Sequence, residues 1–94
     1  MRRRAKADDN QSEIVAVFRK MGASVCHVHT IPGALDLIIG YRGKDVRVEI
    51  KDGSKPPSAR RLTEGEAKTI KEWRGRPPVV IECEDDVIKL LESM

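Results

Sequence analysis

Residues 35–51 have the sequence LDLIIGYRGKDVRVEIK, and this stretch decides the fold. Apolar and polar residues alternate in its second half, as is typical of a β-strand with one buried face. The apolar face carries Val46, Val48 and Ile50. The opposite face carries Arg47, Glu49 and Lys51. The dipeptide Arg42-Gly43 lies between an apolar run and this alternating strand, so it predicts a two-residue hairpin turn.

Closing this hairpin places Asp36 directly across from Glu49 on the polar face. A slip of one residue would set Leu37 against Glu49 and mix the two faces, so the register is well specified. Opposed Cβ atoms lie ~4.5–5.5 Å apart, and two carboxylates at that separation repel each other. A hard divalent cation relieves such repulsion. We therefore expect Asp36 and Glu49 to bind Mg²⁺ or Mn²⁺.

Lys51 lies on the same strand face as Glu49, ~6.7 Å further along the strand. Its ammonium could hold a water molecule or stabilise negative charge that develops on a phosphate. Together with a metal-bound water, these three side chains predict a metal-dependent phosphodiesterase. The alternative is that Glu-Ile-Lys only solvates a sheet face, because so short a motif is common. The opposed Asp36 and the basic segment that follows favour the site.

Helices and further strands are predicted on both sides of the hairpin. A capping-box pattern at Asn10 and Glu13 predicts a helix over about 10–21. Its apolar residues recur at helical spacing: Ile14, Val17, Phe18 and Met21. Strands are expected over about 24–29, 35–41, 45–51 and 79–81.

A second capping box, Thr63 to Glu66, predicts a helix that turns Ala67, Ile70 and Trp73 inward. A last helix starts near residue 85, with an apolar face of Val87, Leu90, Leu91 and Met94. The predicted order is α-β-β-β-α-β-α, an α/β domain over residues 9–94 with a central mixed sheet flanked by helices. Residues 1–8 are expected to form a flexible basic arm.

The charge distribution points weakly to a polyanionic partner. The net charge is +3, from eighteen Lys and Arg against fifteen Asp and Glu. In the loop over residues 52–61, three basic side chains are candidates for phosphate contacts: Lys55, Arg60 and Arg61. Ordinary solvated charge is the alternative. No apolar run is long enough to cross a membrane, so no membrane partner is expected.

The two cysteines, Cys26 and Cys83, are far apart in the sequence. Nothing suggests a disulfide scaffold, so a reducing cytoplasm is the expected location. With His27 and His29 they could be imagined as a zinc site, but their spacing matches no standard ligand pattern. We expect buried structural cysteines instead.

Several segments, taken in order, resemble the virus-type replication-repair nuclease (VRR-NUC) domain, a branch of the PD-(D/E)xK nuclease superfamily. They are DNQSEIV (9–15), GASV (22–25), DLIIGYRG (36–43), VEIKDG (48–53), Leu62-Thr63 and Trp73. The resemblance covers roughly residues 8–82 and implies a restriction-endonuclease-like core. Leu35 departs from the pattern, because the family usually has proline before the motif aspartate.

The resemblance also implies roles for individual residues. Asp36 takes the place of the metal-binding motif aspartate, and Glu49 that of the second metal-binding acid. The carbonyl of Ile50 is a usual further ligand, and Lys51 is the motif lysine. Glu13 takes the place of a helix-one glutamate that reaches the metal through water in related nucleases, or it only caps its helix.

Glu66 stands where many relatives carry glutamine. Its carboxylate either binds metal as an auxiliary residue or only caps its helix, and the complete capping box favours the cap. His27 and His29 are expected to be structural or to face phosphate rather than to catalyse.

Stand-alone members of this family are phage or prophage proteins of about this size. The resemblance implies a homodimeric endonuclease that resolves four-way (Holliday) DNA junctions by paired nicks, in the cytoplasm of a bacterial or phage-infected cell. The alternatives are a monomeric flap or branched-DNA nuclease and a non-catalytic DNA-binding module. An intact Asp36, Glu49 and Lys51 set argues against the last alternative.

Overall fold

A four-stranded mixed sheet and three α-helices make up the computed structural model, which describes residues 9–94. The basic arm expected over residues 1–8 lies outside the described residues. The elements are α1 (Gln11–Lys20), β1 (Ser24–His27), β2 (Leu37–Tyr41), β3 (Lys44–Ile50), the 3₁₀-helix η1 (Pro57–Ala59), α2 (Glu64–Glu72), β4 (Val79–Ile81) and α3 (Glu84–Ser93).

The sheet has the order β1-β2-β3-β4. Strands β1, β2 and β3 are antiparallel to one another in turn, and β4 runs parallel to β3. Tyr41 pairs with Lys44 across the hairpin, so the turn is the two-residue Arg42-Gly43. Both turn residues have positive φ, 53° and 78°, as a type I′ turn requires. The predicted turn and register are therefore confirmed.

One face of the sheet packs against α1 and α3 to form the core. The alternating residues of the hairpin supply its centre, and all are at most 2% exposed: Leu37, Ile39, Val46, Val48 and Ile50. The apolar face predicted for the last helix is buried as expected. In the first helix, Ile14 and Phe18 are buried, but Val15 is buried as well and Met21 is 41% exposed, which corrects the predicted face.

The prediction that α2 turns an apolar face inward is wrong. None of its residues is buried, Ala67 is exposed, and Trp73, which follows the helix, is 39% exposed. The physical reason lies in the second face of the sheet, which carries Arg47, Glu49 and Lys51 rather than apolar side chains. The helical spacing of apolar residues predicts an apolar face for α2, but the sheet face beside it offers no apolar layer for that face to pack on.

Two smaller predictions are also corrected. Asn10 makes no side-chain capping hydrogen bond, and its Nδ2 instead donates to the carbonyl oxygens of Lys51 and Glu82, at 3.1 and 3.3 Å. It thereby fastens the start of α1 to the ends of β3 and β4. Cys26 and Cys83 are both exposed rather than buried.

No helix within residues 9–94 has the length and apolar character that a membrane span needs.

Candidate active site

Asp36 is held at the end of the β2–β3 ladder by backbone hydrogen bonds. Its N–H donates to the carbonyl oxygen of Val48 at 3.1 Å. Its Oδ2 accepts a 2.8 Å hydrogen bond from the N–H of Ile50. The β2–β3 ladder ends at the Leu37–Val48 pair, so the expected pairing of Asp36 directly opposite Glu49 is not part of it. The two hydrogen bonds nevertheless hold Asp36 beside the part of β3 that carries the other candidate residues.

Leu35 turns the chain sharply into this position. Its φ is 66°, in the left-handed region that a leucine rarely adopts, and its side chain is buried. A proline ring fixes φ near −65° and could not adopt this conformation. A proline at position 35 would therefore require a different backbone conformation just before Asp36.

Glu49 is almost completely buried, with 3% of its surface exposed. The Nζ atom of Lys51 lies 3.6 Å from Glu49 Oε2 and 2.9 Å from Glu66 Oε1. The Lys51 side chain is itself only 11% exposed. Two carboxyl groups and one ammonium therefore form a compact cluster on the polar face of β3.

The two glutamates of this cluster have opposite pKa shifts. Burial, a hydrogen bond with Glu66 and the nearby charge of Asp36 raise the pKa of Glu49 to about 9, although Lys51 opposes the shift. Partial burial alone would raise the pKa of Glu66, but hydrogen bonds with Glu49, Lys51 and the N–H of Thr63 outweigh it and lower that pKa. Burial and the neighbouring carboxyl groups therefore favour the protonated form of Glu49, whereas its surroundings favour the charged form of Glu66.

These side chains line one cavity of about 490 Å³ that opens to solvent. Its charged and titratable lining residues are His29, Asp36, Glu49, Lys51, Glu66 and Lys68. Three carboxyl groups thus meet two lysines and a histidine at a surface large enough to admit part of a substrate. The predicted set of Asp36, Glu49 and Lys51 is brought together.

Glu66 caps its helix, as the complete capping-box pattern favoured, and its carboxylate also reaches the cavity. The capping box is complete, because Thr63 Oγ1 accepts from the N–H of Glu66 while Glu66 Oε1 accepts from the N–H of Thr63. The same Oε1 atom also accepts from Lys51 Nζ. Helix α2 contributes little to the core, but its first turn places a carboxylate in the cavity.

Glu13 lies elsewhere. It is exposed and lines a second cavity, whose acidic residues are Asp9, Glu13, Asp52, Glu82 and Glu84. It therefore does not join Asp36 and Glu49, and it does not form the capping box expected at the start of α1. Because the ends of α1, β3 and β4 meet at this second cavity, its acids belong to a separate part of the surface.

The basic loop is partly engaged within the protein. Lys55 Nζ lies 3.1 Å from Asp9 Oδ2, and Arg60 Nη1 lies 3.4 Å from Glu82 Oε2. Arg60 Nε also donates to the carbonyl oxygen of Lys55 at 2.6 Å. Arg61 is exposed. A phosphate would therefore have to compete with carboxylates for Lys55 and Arg60.

Sequence reasoning missed two features near the cavity. His29 lines it, and its Nδ1 is buried with no hydrogen-bond partner among the described residues. The helical spacing predicts Trp73 in the core, but its ring stacks against the guanidinium of Arg47, 4.1 Å from ring centroid to Cζ.

The donor chemistry of the cluster fits a hard divalent cation. Asp36, Glu49 and Glu66 offer carboxyl oxygens, the ligands that Mg²⁺ and Mn²⁺ prefer. Within residues 9–94 no group of three His, Cys, Asp or Glu side chains stands in a metal-binding arrangement. In this structure the Lys51 ammonium contacts two of the carboxyl groups. Burial, together with the neighbouring acids, still raises the pKa of Glu49.

Glu49→Gln should stabilise the metal-free protein near pH 8 by about 2 kcal/mol or more. The pKa of Glu49 rises from 4.5 to about 9 on folding, so between these values the unfolded chain loses a proton that the folded protein keeps. Stability therefore falls as pH rises through this window, and glutamine removes the loss. Urea unfolding in EDTA, near pH 5 and near pH 8, measures the effect.

The matched control for this prediction is Glu72→Gln, since Glu72 is an exposed glutamate of α2. It should change stability little at either pH. A Glu49→Gln effect of the same size at both pH values would contradict the raised pKa.

No family model, no curated protein and no solved structure matches this chain.

Proposed function

We propose that this chain is a divalent-metal-dependent DNA endonuclease with a restriction-endonuclease-like core. The observation that supports it best is the buried carboxyl of Glu49, which shares one solvent-open cavity with Asp36, Lys51 and Glu66. Burying an acid beside other acids is costly, so a structural role alone gives no reason for the arrangement. A site that binds a divalent cation and a phosphodiester gives a reason for this arrangement of acids.

In this proposal Asp36 and Glu49 bind the metal, and the carbonyl of Ile50 is a further ligand. A divalent ion held there would lower the pKa of a bound water and offset negative charge on the scissile phosphate. The hydrogen bond from the Ile50 N–H fixes one oxygen of Asp36 in place. A cation bound there would favour the carboxylate form of Glu49, because a nearby positive charge stabilises the charged form.

Lys51 acts on the reacting groups rather than on the fold. Glu66 holds its ammonium in the cavity at 2.9 Å, so the side chain is positioned before substrate arrives. From there the ammonium can orient the attacking water or stabilise charge that develops on the phosphate. Glu66 is a positioning residue in this scheme, because it acts through Lys51.

For the substrate we propose four-way DNA junctions, cut by a homodimer. Resolution of a junction needs two nicks related by symmetry, and an isologous dimer supplies two equivalent sites. Two features support self-association. Strand β1 lies at an edge of the sheet, and Met21 and Ile31, which precede and follow it in the chain, are 41% and 55% exposed.

A cleavage assay with three labelled substrates tests this function: a four-way junction, a flap and a linear duplex, each in Mg²⁺ and in EDTA. Light scattering on the same protein should give twice the 10.5 kDa chain mass. We expect two opposed nicks in the junction, only with metal. A monomer that cuts flaps and spares junctions would favour the flap-nuclease alternative, and DNA binding without any cleavage would favour the non-catalytic one.

The loop over residues 52–61 should contact the DNA backbone. Replacing Lys55, Arg60 and Arg61 together by alanine should reduce the slope of log K against log salt by about 0.9 for each phosphate that these side chains neutralise. Binding isotherms at several salt concentrations in EDTA measure this slope. Lys89→Ala, on the exposed side of α3, is the control and should leave the slope unchanged. The same slope in the triple variant and in the control would contradict a role for the loop.

A further inference from the structure

Trp73 is the one tryptophan of the chain, and it is 39% exposed. It directly follows α2 in an extended conformation, with φ −65° and ψ 126°. Its ring stacks on the guanidinium of Arg47, whose Cζ lies 4.1 Å from the ring centroid. A large aromatic side chain is therefore held in place at the surface without being covered.

Arg47 connects this tryptophan to the candidate active site. It lies on β3 two residues before Glu49, hence on the same face and ~6.7 Å away along the strand. Its Nη1 donates to the carbonyl oxygen of Ala34 at 3.2 Å, which fixes the guanidinium. The stacked pair thus occupies the strip of sheet surface next to the carboxyl cluster.

A cavity of about 280 Å³ adjoins the pair. It is lined by Ile38, Asp45, Val46, Arg47, Trp73 and Arg76. Gly75 permits this geometry, because a Cβ at that position would lie 2.9 Å from Trp73 Nε1. The cavity therefore combines an aromatic ring, the side chain of Ile38, two guanidinium groups and the carboxylate of Asp45.

We infer that this cavity binds one nucleotide that is unstacked at the branch point of the DNA substrate, beside the site of cleavage. The base stacks on the exposed part of Trp73, and Arg76 contacts a flanking phosphate. Stacking of bases on aromatic side chains and charge contacts to phosphates are the two means by which proteins bind single strands. The inference rests on the proposed function for its substrate class, since branched DNA presents unstacked nucleotides at its branch point.

The intrinsic fluorescence of Trp73 reports this contact directly, because no other tryptophan contributes. The protein is titrated in EDTA with three probes: a short oligothymidylate, an abasic oligonucleotide of the same length, and inorganic phosphate. We expect the oligothymidylate alone to quench the fluorescence strongly. Equal quenching by the abasic strand, or none by the oligothymidylate at saturation, would overturn the inference.

Variants separate stacking from a structural role of Trp73. Trp73→Ala should weaken binding of a labelled oligothymidylate about tenfold, and Trp73→Phe, which keeps a ring, should restore most of it. Arg76→Ala should weaken binding, whereas its matched control Arg74→Ala, exposed and outside the cavity, should not. Equal losses from both arginine variants would mean diffuse electrostatic attraction and would overturn the inference.

These measurements need neither metal nor turnover. A failure of stacking in a protein that still cleaves branched DNA would refute the cavity and leave the nuclease proposal intact. Quenching by oligothymidylate in a protein that cleaves no DNA would support the cavity, with the cleavage assay deciding separately against the nuclease.

Discussion

Asp36→Asn should reduce the rate of DNA cleavage in Mg²⁺ by about a thousandfold or more. The amide oxygen of asparagine can still accept the hydrogen bond that Ile50 N–H donates to Asp36 Oδ2. The local backbone is therefore kept while the negative charge that binds metal is removed. Single-turnover cleavage of a junction substrate at saturating protein measures the chemical step, and Glu49→Ala should have an effect of similar size.

The control is Asp85→Asn, an exposed acid in the first turn of α3, which should cleave at the wild-type rate. Thermal unfolding of all three variants tests whether the fold is retained. Wild-type cleavage by Asp36→Asn in Mg²⁺ would refute the assignment of this residue to the metal.

Lys51→Ala should lower the single-turnover rate by about 10²–10⁴-fold while DNA affinity changes little. The ammonium is nearly buried and is held by Glu66, so it is placed for the reacting groups rather than for the outer backbone of the duplex. Binding is measured in EDTA, so that affinity and chemistry are measured separately. The expected pattern is a low rate with an unchanged dissociation constant.

Glu66→Gln offers a matched comparison, because glutamine can still accept from Lys51 and from Thr63 N–H. It should retain far more activity than Lys51→Ala. If Lys51→Ala instead bound DNA much more weakly and kept its single-turnover rate, the lysine would be a phosphate anchor and not part of the chemistry.

The hairpin was predictable because every signal for it is local. The two-residue period separates the faces of β3, and the turn residues fix the register with β2, so Asp36, Glu49 and Lys51 could be brought together from the sequence alone. The buried state of Glu49 was not predictable in the same way. It depends on α2, whose first turn brings Glu66 over the strand from 17 positions away in the chain.

The wrong predictions share one cause. A local sequence pattern shows which residues form a face, but it does not show which part of the protein packs against that face. The spacing of Ala67, Ile70 and Trp73 fits a helix that packs on an apolar layer, but the nearby sheet face is charged. Asn10 fits a helix cap, yet its side chain bonds to the ends of β3 and β4 instead. Glu13 fits a catalytic position in the sequence, but α1 packs on the apolar face of the sheet, opposite the face of Glu49, and Glu13 lines another cavity.

A crystal soaked in Mn²⁺ near pH 8 shows directly whether a divalent cation binds at Asp36 and Glu49. The anomalous difference map should show a peak about 2 Å from a carboxylate oxygen of each residue, with the Lys51 ammonium displaced from Glu49. A peak confined to the acidic cavity around Glu13, Asp52 and Glu82, with none at Glu49, would contradict the account.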